Sequence, residues 1–112
     1  MALFYHATPA EALSEILKSG LKPRIGPRSN LMGETIAAVY IFDDPDMLDD
    51  AIGGWLGDAF EDQGITELAV LSVDLDIDTL GASLSHDGLS HACTRRIAPE
   101  VIRVLRMEPL DV

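Results

Sequence analysis

The chain has 112 residues, and 8 Lys+Arg against 19 Asp+Glu give it a formal net charge of −11. With 47% apolar and 24% charged residues the usage is that of an ordinary globular chain, which excludes a disordered one and suits a single domain over residues 1–112. No apolar run reaches the ~18 residues of a membrane span, no basic-then-apolar leader opens the chain, and the lone Cys93 excludes an internal disulfide framework, so the expectation is a cytoplasmic protein.

Residues 2–7 are apolar and aromatic with one histidine and read as a short buried strand. Thr8-Pro9-Ala10-Glu11 then predicts a helix start: a Thr8 hydroxyl cap, proline at the first helical position, and Glu11 reaching back to the Thr8 N–H. Ala10, Leu13, Ile16 and Leu17 form the expected buried stripe, and Gly20 follows the last turn as a typical C-terminal glycine. From Lys22 to Glu34 the periodicity gives way to Pro23, Gly26, Pro27, Ser29, Asn30 and Gly33, a loop long enough to suggest a function. Residues 36–42 predict a second strand. Asp44-Pro45 opens a second helix, in which Met47/Leu48, Ala51/Ile52, Trp55/Leu56 and Ala59/Phe60 recur every four residues, with Gly53, Gly54 and Gly57 marking a break near its middle. Residues 68–75 predict a third, central strand, after which Asp74, Asp76 and Asp78 alternate onto one side. Residues 79–90 read as loop, and Ala98-Pro99 separates two further strand-like stretches, 93–97 and 101–107. The order βαβα followed by strands predicts an α+β fold with two helices in its N-terminal half, not a doubly wound sheet.

The charges are strongly patterned. All eight basic residues fall in two windows, Lys18, Lys22, Arg24 and Arg28, then Arg95, Arg96, Arg103 and Arg106. Between Ser29 and Thr94 there is no Lys or Arg, yet that stretch holds 14 acidic residues, eight of them between Asp43 and Asp62. Three readings stand together: a solvated acidic face, a fold that brings the two basic windows together beside an anion, or an acidic face that engages a basic partner. The net charge repels nucleic acid phosphates on average, which disfavours direct DNA binding without excluding an anion in a local basic pocket.

Taken singly, His6 and Tyr40 are ordinary strand residues. Their setting is more telling. Tyr5-His6-Ala7-Thr8, Gly20-Leu21-Lys22-Pro23 and Val39-Tyr40-Ile41-Phe42, with Ile97-Ala98-Pro99-Glu100-Val101-Ile102 as a closing hairpin, resemble the ADP-ribosyltransferase-like superfamily of bacterial toxins, poly(ADP-ribose) polymerases and RNA 2′-phosphotransferases. The resemblance is patchy but spans most of the chain. It implies a split, twisted pair of small β-sheets with His6 and Tyr40 facing one cleft, and NAD or an ADP-ribose-type ligand as cofactor or substrate. On that analogy His6 binds the ribose and Tyr40 stacks on the nicotinamide. Arg24 and Arg28, in the loop after the first helix, suit the pyrophosphate because a guanidinium donates parallel hydrogen bonds to phosphate oxygens. The chain departs from the transferases at residues 90–96, which carry no carboxylate where a late-strand glutamate stabilises the oxocarbenium-like ribose; His91 or Arg95 would have to substitute, as in the RNA 2′-phosphotransferase-like members.

Other constellations are weaker. Asp74-Leu-Asp-Ile-Asp starts with calcium-loop spacing but lacks the glycine and the closing glutamate. His86 and His91 lack a third placed ligand, and Cys93 lacks an orienting base, so no metal or thiol chemistry is expected. Two functions from different classes therefore follow: an NAD-dependent ADP-ribosyltransferase-like domain, or a non-enzymatic acidic binding or inhibitor protein of phage or mobile-element type that engages a basic partner through residues 43–62.

Overall fold

The computed structural model describes residues 2–23, 39–75, 90–93 and 95–110. Five strands, β1 (Ala2–Pro9), β2 (Val39–Phe42), β3 (Glu67–Leu75), β4 (Ser90–Cys93) and β5 (Ile102–Pro109), form one sheet in the order β4-β2-β1-β3-β5, and each neighbouring pair is antiparallel. Among the described residues three helices accompany it: α1 (Leu13–Ser19), α2 (Pro45–Ile52) and α3 (Trp55–Asp62). The fold is α+β, as the element order implies. The described strands make a single continuous sheet, not the split pair expected.

The sheet is buried on both faces because its strands carry two apolar sets out of phase. Phe4, Ile41, Ala69, Leu71, Val73 and Ile102 pack with Ile16 of α1, Leu21 and Ile97 in one layer. Ala7, Phe42, Leu68 and Val70 pack with Leu48, Ala51 and Ile52 of α2 and Leu56 of α3 in the other. The unbroken apolar run of β3 has this explanation: residues 68–73 are all buried, alternately toward the two layers. All eight residues of β1 pair with β3, from Ala2 opposite Leu75 to Pro9 opposite Leu68.

Three local expectations are corrected. Thr8 does not cap a helix; it stays in β1 opposite Ala69, buried, while residues 10–12 form a 3-10 turn and α1 starts only at Leu13 without a side-chain cap. Pairing with β3 keeps the Thr8 backbone extended, so it does not enter the cap position. Within α1, Ile16 is buried but Leu17 is 48% exposed, because seven residues give the helix less than two full turns against the sheet. Residues 97–102 form no hairpin: Ile97 makes an isolated bridge to Leu21, residues 99–101 make a 3-10 turn, and β4 and β5 lie on opposite edges of the sheet.

The second helix does break where its glycines stand. Asp44 caps α2 by accepting the Asp46 N–H at 2.8 Å, Pro45 occupies its first turn, and the chain leaves helical geometry at Gly54 (φ −134°, ψ −119°) before α3 begins. No helix among the described residues is long and apolar enough to cross a membrane.

Candidate functional site

His6 lies in the middle strand of the sheet, directly opposite Leu71 of β3, and is half-buried. Strand alternation sets it in phase with Phe4 and Thr8, on the α1 side. The ladder between β1 and β2 is fixed by Tyr5 opposite Phe42, so His6 stands against Ile41 and residue 40 is one step out of phase with it. The backbone of Tyr40 pairs with Ala92 of β4, and its side chain lies outside the described part of the structure. Whether His6 and Tyr40 share a cleft lies outside the described residues. Arg24, Arg28 and His86 lie outside the described residues, and His91 and Cys93 are described by their backbone in β4.

The described part of the first basic window meets the start of the second. Just after α1, Leu21 and Ile97 exchange two backbone hydrogen bonds, Leu21 N–H to the Ile97 carbonyl at 2.9 Å and Ile97 N–H to the Leu21 carbonyl at 2.8 Å. The bridge sets Lys18 and Lys22 on one chain segment beside Arg95 and Arg96 on the other, and all four side chains are exposed. Arg96 donates from Nε to the Ser19 carbonyl at the end of α1, 3.0 Å away. That bond orients the guanidinium while leaving its two Nη groups for another acceptor. Lys18 and Arg96 also complement the negative end of the helix. Nothing in the linear sequence shows that residues 18–22 and 95–96 are neighbours; the signal is a pairing some 75 residues apart in the chain.

Gly20 makes the bridge possible. Its backbone (φ +85°, ψ −177°) lies in a region that essentially glycine alone occupies. A Cβ there would stand 2.1 Å from the Ile97 carbonyl oxygen.

The acidic residues gather on the other face. Asp43, Asp46, Asp49, Asp50, Asp58 and Asp62 are exposed on and beside α2 and α3. Arg106 of β5 reaches this face, pairing with Asp49 and, at 3.2 Å, with Glu108. Hydrogen bonding to the Asp49 carboxylate holds the Arg106 guanidinium above its ordinary value. Met47 and Trp55, each 39% exposed, stand among these carboxylates, whereas a helix burying every fourth pair would have hidden both.

A shallow recess of about 240 Å³ is lined by Pro9, Ala10, Glu11 and residues 64–67. Its charged side chains are Glu11 and Glu67, which makes it a poor seat for an anion. No cluster of three metal-ligating side chains occurs among the described residues. Compared with protein-family models, curated proteins and solved structures, the chain matches none.

Proposed function

We propose that this chain binds a phosphate-bearing ligand of the NAD or ADP-ribose type. The observation that supports this most is the Leu21–Ile97 bridge, which gathers Lys18, Lys22, Arg95 and Arg96 into one cationic junction on a chain of net charge −11. In this reading the junction, with Arg24 and Arg28 that follow it in the chain, takes the phosphates, and His6, in phase with the same sheet face, takes the ribose. Transfer of ADP-ribose would proceed by loss of nicotinamide from the ribose, with positive charge developing on the sugar. The reading leans on His6 and the cations, with Tyr40 kept for the nicotinamide as the resemblance implies.

A second reading rests on a separate observation, the exposed Met47 and Trp55 among aspartates on α2 and α3. Apolar anchors within a field of one sign suit an interface with a basic protein, as in an inhibitor. One set of titrations separates the two. Calorimetry with NAD, ADP-ribose and 2′-phosphorylated RNA is run on the wild type, on Arg24→Ala, Arg28→Ala and Arg96→Ala, and on an Asp46→Lys/Asp50→Lys/Asp58→Lys variant. Loss of one charge-assisted bond should weaken ligand binding by roughly 1.5–3 kcal/mol, and the aspartate reversals should leave it intact. No heat with any of the three ligands, or unchanged affinity in all three arginine variants, would refute the phosphate-ligand reading. Salt-sensitive association of a cationic peptide that the aspartate reversals abolish would favour the second.

A further inference from the structure

β5 is an edge strand with β3 as its neighbour, and along the other side of its eight residues no described segment pairs with it. An edge of that length presents a row of unpaired backbone donors and acceptors. Three large apolar side chains stand on it, Val104 at 40%, Leu105 at 50% and Met107 at 42% exposure. The β3–β5 register shifts between Val70, opposite Arg106, and Leu71, opposite Val104, so Leu105 is the extra residue of a bulge. Bulges commonly blunt an edge. This one changes which residues share a face. Val104 and Met107, three apart, would otherwise point to opposite sides; the extra residue brings both to the α1 side, opposite Leu71 and Ala69. By the same shift Arg103, Arg106 and Glu108 share the α2–α3 side, opposite Ser72, Val70 and Leu68.

We propose that β5 is a self-association edge, on which a second copy of this chain lays its own β5 antiparallel about a two-fold axis at Leu105/Arg106. In that register Val104 meets Met107 of the second copy on one face, and Arg103 meets Glu108 of the second copy on the other. Symmetry makes each contact twice. The bulge is what permits this, since in a regular strand residues an odd number apart cannot face each other across such an axis. Charge complementarity selects the occupant. Arg103 is exposed and makes no hydrogen bond or ion pair among the described residues, and Glu108 is joined by Arg106 alone. Across the axis these two unlike charges stand opposite each other. Two of the chain's eight basic residues lie on β5, so the edge is a break in the acidic field that otherwise keeps copies apart. Pro109, lacking an N–H, ends the ladder. One strand pair buries little surface, so the dimer belongs to the weak, micromolar class.

Sedimentation velocity from about 1 to about 500 µM protein brackets that range. The expected result is a concentration-dependent doubling of mass. Arg103→Glu and Glu108→Arg should each weaken the dimer about tenfold or more, and the double reversal should recover it to within about threefold, because the pair is re-formed with its signs exchanged. Val104→Lys should leave a monomer. Arg103 and Val104 are exposed, so circular dichroism and the thermal midpoint of their variants should stay those of the wild type; Glu108→Arg also removes the Arg106–Glu108 pair, so its fold is checked by the same two measurements before its dimerisation is compared. A monomer throughout the range overturns the proposal, and so does a dimer indifferent to the single reversals or one that the double reversal fails to restore.

Discussion

Replacing Gly20 by alanine tests the contact that joins the two basic windows. The backbone there has φ +85° and ψ −177°, and holding a residue with a Cβ in that region costs on the order of 1–3 kcal/mol. The added methyl would stand 2.1 Å from the Ile97 carbonyl oxygen, which is backbone and has no rotamer to yield. Relieving that clash opens the Leu21–Ile97 bridge and its two hydrogen bonds, worth roughly 1 kcal/mol each. The sum is about 3–5 kcal/mol, a large part of the roughly 5–15 kcal/mol that holds a domain folded. Urea unfolding reads this directly: with a slope of about 2 kcal/mol/M, the midpoint should fall by roughly 2 M. Gly64→Ala is the control, because Gly64 also has positive φ (+78°) but a Cβ there meets nothing within 4 Å. It should cost only the backbone term, roughly 1–2 kcal/mol. Equal losses in the two variants, within about 0.5 kcal/mol, would refute the steric argument and with it the account of how the cationic junction is held.

Leu71→Ala, in the fully buried interior of β3, should lose about 2–5 kcal/mol by denaturant unfolding, whereas Leu17→Ala on the exposed side of α1 should stay within about 0.5 kcal/mol; similar losses would mean that the α1 stripe is packed after all. Arg106→Met should cost less than about 1 kcal/mol in the same assay, because both Arg106 and Asp49 are well exposed; a loss of several kcal/mol would show that the pair is shielded from water.

Much of the architecture was legible in the chain because it depends on local chemistry. The Asp44-Pro45 start of α2, the glycine break before α3 and the glycine after α1 each satisfy backbone groups within a few residues of themselves. The apolar run of β3 announced a central strand, and the structure buries it on both faces. Thr8 shows the limit of that logic: its cap pattern was sound, but pairing with Ala69 offered the same backbone a longer-range partner, and the sheet prevailed. Leu17 fits a helical stripe in sequence, yet burial depends on what lies opposite, and α1 turns Leu13 and Ile16 toward the sheet while Leu17 stays exposed. The confinement of cations to two windows was written in the sequence, but their meeting was decided by the Leu21–Ile97 bridge. The phase of residue 40 relative to His6 was likewise set by the pairing of Tyr5 with Phe42, because a strand's alternation is local whereas its register against a neighbour is fixed only when both strands bury their apolar faces together.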